Sequence, residues 1–191
     1  MQTMHTVLII DDEPRFSTSL EVLLKAEGYQ VHVAYSGESA FHLLRQHAFS
    51  AALVDINLPD ISGNLIASRI GKEHPETAVI ILTGNATVDS AVESLRQGVY
   101  DYLRKPCAPD RLLQTLARGI QHKRLTMDLH NSEKRFRQLA QATWEGIIIY
   151  DRGTLLQTNS QLCKMFGYAE TELLGKRSEE RRVGKECRSR W

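Results

Sequence analysis

The 191-residue chain predicts an α/β fold, a five-stranded parallel, doubly wound sheet, over its first 120 residues. Three observations carry that prediction. Short apolar runs alternate with helix-patterned stretches. Those runs are continuously apolar, as parallel strands buried on both faces must be. They also end on polar groups: Asp11-Asp12, Asp55, Thr83 and Lys105. In open α/β sheets, ligand sites lie at the carboxyl ends of the strands, at the switch point of the winding.

The elements follow in order. "TVLII" (6–10) is the first strand. In the helix after it, Phe16, Leu20, Leu23 and Leu24 recur at helical spacing and Gly28 suits the C-cap. "QVHVAY" is the second strand, and "SGESAFHLLRQH" a helix opened by Ser36 with a glutamate soon after. "AALVD" is the third strand; Asp60 and Gly63 behind it read as turn formers. "SGNLIASRIGKEHP" is a helix ended by Pro75, and "AVIILTG" the fourth strand. "ATVDSAVESLRQG" is a helix closed by Gly98, and "VYDYL" the fifth strand. Pro109 and Asp110 then suit a new helix start.

No apolar run approaches a membrane span, and the N-terminus lacks a basic-then-apolar signal pattern, so no membrane role and a cytoplasmic location are expected. The three cysteines, Cys107, Cys163 and Cys187, are far apart and without metal spacing, which reads as reduced thiols. Charge is uneven. Residues 1–110 hold 8 Lys+Arg against 14 Asp+Glu, a net of −6, whereas residues 111–191 carry a net of +7. An acidic first domain argues against nucleic acid as a direct partner.

The strand-end residues define a chemistry. Asp11, Asp12 and Asp55 packed together repel, so a divalent cation is their natural partner. Hard oxygen ligands with no His or Cys nearby favour Mg²⁺. Lys105 supplies a positive charge and Thr83 a hydroxyl donor. The set fits a phosphoryl group whose oxygens are neutralised while Asp55 attacks phosphorus, giving an aspartyl phosphate. Singly, each residue has a plainer use: Asp11 as a helix cap, Asp55 in a turn, Lys105 in solvent, Tyr102 in the core. Together they would be coincidences at one sheet edge.

"VLIIDDEP", "ALVDINLPDISG", "VIILTG" and "GVYDYLRKP" resemble the motifs of the receiver domain of two-component response regulators, over about residues 5–120. The resemblance implies that Asp55 is phosphorylated, and that Asp12, Asp55 and the backbone carbonyl of Asn57 bind Mg²⁺ with Asp11 assisting. It implies that Thr83 bonds the phosphoryl group, that Lys105 pairs with it, and that Tyr102 turns inward as Thr83 moves, with Gly84 leaving room. Asn57 and Asn85 fall where the family tunes dephosphorylation, and the Lys105–Pro106 bond is expected to be cis. A phosphoacceptor of a phosphorelay is therefore expected, not an enzyme beyond its own phosphorylation and dephosphorylation. Its donor would be a histidine kinase or phosphotransfer protein. A Mg²⁺-dependent aspartyl-phosphate hydrolase fits less well, because Asn57 occupies the position of the second acid such enzymes use. A histidine kinase fits less well too, for want of a Gly-rich nucleotide segment.

From Arg111 the pattern is helical and long. Leu113, Leu116, Ile120 and Met127 fit one heptad phase, Phe136 and Leu139 another. Two readings stand: a last receiver helix with a solvated linker, or a helical connector, including a dimeric coiled coil. A homodimer through the receiver face or this helix is accordingly among the expected assemblies. "SEKRFRQLAQATWEGIIIYDRGTLLQTNSQLCKMFGYAETELLGK" (132–176) resembles the N-terminal part of a PAS sensory domain, a truncated α+β piece. The final "RSEERRVGKECRSRW", with almost no apolar residues, resembles the translation of a sequencing adapter. The expected divisions are a receiver over 1–120, a linker over 121–140, a partial PAS domain over 141–176 and a non-native tail over 177–191, the receiver passing its signal to the PAS-containing region.

Overall fold

A computed structural model of the chain describes residues 4–84 and 99–176. The helix expected over 86–98, Asn85 and the tail 177–191 lie outside the described residues. The chain divides into two compact units, Met1–Asp128 and Leu129–Trp191.

In the first unit, β1 (Thr6–Ile10), β2 (Gln30–Ala34), β3 (Ala51–Asp55), β4 (Ala78–Thr83) and β5 (Asp101–Arg104) form one sheet in the order β2-β1-β3-β4-β5. All pairings are parallel. Among the described residues its helices are α1 (Pro14–Ala26), α2 (Gly37–Gln46), α3 (Gly63–Glu73) and the first part of α4 (Pro109–Ala142), which runs on beyond Asp128. Alternate strand residues point to opposite faces, so one apolar run feeds two cores. Leu8, Ile10, Val54 and Ile81 pack with Ala40 and Leu44 of α2 and Ile66 and Ile70 of α3. Val7, Ile9, Leu53 and Ile80 pack with Leu20 and Leu24 of α1 and Leu112 and Leu116 of α4. Each such side chain taken fully from water stabilises by about 1.5–3 kcal/mol, and β3 and β4 are buried along their whole length. That is why these runs are unbroken by polar residues until the sheet ends.

Helix ends differ from expectation in detail. Gly28, at φ +85°, lies one residue beyond the α1 C-cap Glu27, where the left-handed backbone suits glycine. Ser36 does cap α2, but the reciprocal partner is Ser39, three residues on, not Glu38. The α4 helix runs unbroken for 34 residues, so the connector is helical throughout. Its buried positions end at Ile120, and Leu125 beyond it is exposed. The Lys105–Pro106 bond is cis, as expected.

The second unit holds an antiparallel pair, β6 (Ile148–Asp151) and β7 (Thr154–Thr158), then α5 (Ser160–Phe166) and α6 (Glu170–Leu173). The turn expected at Arg152-Gly153 is there, with both residues at positive φ, 46° and 83°. Leu155, Leu162 and Leu173 form its small core. Asn159 organises the unit: its Oδ1 accepts from the amides of Ile147 and Leu162, and its Nδ2 donates to the carbonyls of Ala140 and Glu145. No helix of the described residues is long and apolar enough to cross a membrane.

Glycine is required where α3 begins. A Cβ on Gly63 would lie 1.9 Å from the backbone oxygen of Asp55, whereas one on Gly84 would meet nothing within 4 Å. We expect Gly63→Ala to cost about 2–3 kcal/mol, since backbone must move, and Gly84→Ala to stay within about 0.5 kcal/mol. Urea unfolding of the two variants checks this.

Candidate functional site

The parallel register sets the site. Asp55 pairs with Leu82 and Thr83 with Arg104, so β3, β4 and β5 end level with one another. Asp11 follows β1 directly, its amide bonded to the carbonyl of Ala34 at 3.0 Å. The Lys105 amide donates to the carbonyl of Thr83 at 2.7 Å, which continues the ladder one residue past β5.

Side chains converge there. Lys105 Nζ donates to Asp11 Oδ2 at 2.5 Å and to Asp55 Oδ2 at 2.8 Å. It also lies 4.5 Å from the centre of the Phe16 ring, a cation–π contact. Asp11 is wholly buried and Asp55 7% exposed, whereas Asp12 is open to solvent. The second oxygen of Asp11 accepts the Glu13 amide at 3.0 Å, so Asp11 is held by the start of α1 without being its cap. The carboxylates of Asp11, Asp12 and Asp55 lie within 4.8 Å of one another, a grouping able to hold a metal ion. Asn57, two residues on, has its side chain exposed and its amide 3.5 Å from Asp55 Oδ1.

The remaining predicted residues flank this cluster. Thr83 is buried at the end of β4. Tyr102, on β5, is half-buried against the core that includes Ile81 and Val99. Among the described residues its hydroxyl is buried without a hydrogen-bond partner, and burial pushes it above the usual phenol range.

Sequence reasoning missed one residue. Asp60 was expected to form a turn only. Instead its carboxylate accepts the amides of Gly37 at 2.9 Å and Glu38 at 3.0 Å, so the loop after β3 caps the start of α2. Those two bonds hold its carboxyl below the usual range. The signal was faint: an acid after Pro59 looks like turn chemistry, and its partners are more than twenty residues away. Gly63 likewise does more than turn, allowing α3 to start against the Asp55 backbone.

The charges do not balance. Burial raises Asp11 above the ordinary carboxylate value, and the Lys105 hydrogen bond only partly offsets it. Burial would lower Lys105, but its bonds to Asp11 and Asp55 outweigh that and raise it. The lysine is therefore firmly charged, while one ammonium is too little for the acids around it.

A five-stranded parallel sheet carries paired acids, a lysine and a threonine at its carboxyl edge, and the chain belongs to the response regulator receiver domain family, whose model matches residues 7–117. A PAS domain model matches residues 134–189, continuing past Lys176, where the PAS-like pattern was expected to stop. The chain is 36% identical over 120 residues to the transcriptional regulatory protein ZraR of Salmonella typhimurium, covering 63% of this chain and 27% of that protein. It is 32% identical over 132 residues to the alginate biosynthesis transcriptional regulatory protein AlgB of Pseudomonas aeruginosa, covering 69% and 29%. Among solved structures, a CheY-like receiver domain protein from Methanospirillum hungatei superposes with a TM-score of 0.62 at 29% identity, covering 65% of this chain and 99% of that one. The chain thus spans under a third of the length of those two regulators.

These relatives correct one expectation. Nucleic acid was excluded as a partner because the first domain is acidic, yet the matched proteins are transcriptional regulators by name. The charge of one module does not report what the rest of a regulator touches, so the exclusion does not stand.

Lys105→Met tests the charge arrangement. Asp11, already above its ordinary value, rises further without the ammonium. A raised carboxyl contributes stability fully present below about pH 3.8 and lost as pH rises through its folded value. The variant should therefore lose about 1–3 kcal/mol near neutral pH, discounted for the lysine's partial exposure, and the deficit should shrink as pH falls. Denaturant unfolding across pH 4–8 measures it.

Proposed function

We propose that this chain is a cytoplasmic phosphoacceptor module of a two-component phosphorelay, accepting a phosphoryl group on Asp55 from a histidine kinase. The observation that carries this reading is the Lys105 ammonium shared between Asp11 and Asp55 at the carboxyl edge of the sheet. An ammonium so placed can follow the phosphoryl oxygens as Asp55 is esterified.

The donor set fits Mg²⁺. It is all hard oxygen, three carboxylates within 4.8 Å, and one of them, Asp12, faces solvent. Asp11, Asp12 and Asp55 would hold the ion, joined by the carbonyl of Asn57 as the family implies. When bound, Mg²⁺ supplies charge neutralisation for the carboxylates and the transferring group. An Asp55 oxygen attacks phosphorus as the bond to the donor nitrogen breaks, and the electron pair leaves with that nitrogen. Thr83 then donates its hydroxyl to a phosphoryl oxygen, and Lys105 pairs with another. No further catalytic activity is assigned: phosphorylation and dephosphorylation are the module's whole chemistry.

The added charge of about −1.5 to −2 moves Thr83, and Tyr102 follows. The state so selected is passed on to the PAS-containing region.

With Mg²⁺ and acetyl phosphate the chain should gain one base-labile phosphoryl group. Asp55→Asn should abolish it and EDTA suppress it; undiminished labelling of Asp55→Asn defeats the assignment. Mg²⁺ at about ten times its Kd should also stabilise the chain by about 1.4 kcal/mol. Beryllofluoride, a phosphoryl mimic, should shift amide resonances around Thr83 and Tyr102, and shifts confined to the Asp55 loop would refute the switch.

A further inference from the structure

Three amides open the α2 helix, and two of them are satisfied from outside it. Ser36, the helix's own cap, takes the Ser39 amide at 3.2 Å. The Gly37 and Glu38 amides go instead to the two carboxylate oxygens of Asp60, on the loop that carries the phosphoacceptor. The crossing is close. A Cβ on Gly37 would lie 2.2 Å from Ile61 Cγ2, so glycine lets the loop and the helix meet. The other end of the same loop is pinned too, with the Gly63 amide bonded to the carbonyl of Ile56 at 2.9 Å.

We propose that Asp60 is a positioning residue for the chemistry at Asp55: by bracketing the first two amides of α2 it fixes the loop that begins at Asp55 and runs through Asn57. The inference rests on the phosphoacceptor reading above. Asp60 touches neither the phosphoryl group nor the acids, and acts by keeping the backbone after Asp55 where attack requires it. Displacements of the order of 1 Å at a reacting group cost large factors in rate. The helix start serves as an anchor because its free amides need an acceptor in any case.

The test compares three variants of the whole chain with acetyl phosphate and Mg²⁺. Asp60→Ala should slow Asp55 labelling about 3- to 10-fold and slow hydrolysis of the aspartyl phosphate in parallel, a readout independent of donor binding. Asp60→Asn, which keeps one acceptor oxygen, should recover part of both rates. Ser36→Ala weakens the same helix start without touching the loop, so it should lower the melting temperature comparably while leaving both rates within about twofold of wild type. Wild-type rates in Asp60→Ala overturn the proposal, as does equal slowing in Ser36→Ala, because the effect would then pass through helix stability alone. Absence of labelling in the wild-type chain would instead overturn the phosphoacceptor reading itself.

Discussion

One ammonium shared by two buried carboxylates is the interaction on which the rest of this fold depends. Lys105 lies 94 residues from Asp11 and 50 from Asp55 in sequence, and meets both within hydrogen-bond distance. That meeting requires β1, β3 and β5 to end at the same height, which the parallel register supplies. It also requires β1 and β3 to be apolar up to the acids that end them, because any earlier charge would be buried among Leu and Ile without a partner. Asp11 remains above its ordinary value despite the lysine. Burial is the main reason, and the three carboxylates gathered within 4.8 Å form a grouping able to hold a metal ion.

Much of this was legible in the amino-acid order. Strands β1 and β3 fall where their apolar runs predict, and the acids that end them meet as predicted. Legibility was high because burial on both faces forbids polar residues, so the first carboxylate marks the strand's end. Strand β5 was placed less well: Val99 and Tyr100 pack beside the sheet, and pairing begins at Asp101. Tyr100 still bonds the Val79 carbonyl through its amide, so pattern alone could not separate approach from ladder. Asp60 was illegible for a different reason. Its role depends on where a loop and a distant helix start come together, and no local periodicity encodes that. The choice of Ser39 over Glu38 as capping partner is the opposite case: the position three residues after the cap decides it, and that spacing is local.

The second unit shows the same economy with fewer resources. Two strands and two short helices bury three side chains well, Leu155, Leu162 and Leu173, and a hairpin of this size is marginal alone. Polar bonding makes up part of the difference. Asn159 uses both ends of its amide on backbone groups from the helix end, the strand entry and the next helix. A side chain so fully committed is a structural tie. Its replacement by an isosteric acid would lose the two donated bonds and bring a charge into a site nearly closed to water.

Exposure sorts the three acids of the cluster into different duties. Asp11 is sealed from solvent and bonded on both oxygens, one to Lys105 and one to the Glu13 amide. It sets the field of the cluster from its inner side, with both oxygens already engaged. Asp12 is open and carries no such restraint, which suits a ligand that must exchange water for a cation. Asp55 lies between, nearly buried yet with a small accessible fraction. On the phosphoacceptor reading proposed above, a nucleophile needs that intermediate place: dry enough for the lysine to act strongly, open enough for a phosphoryl donor to arrive in line. Moving the acid one residue along β3 would turn it to the other face of the sheet, since side chains alternate. The strand's period therefore selects which carboxylate can react, before any loop or partner is considered.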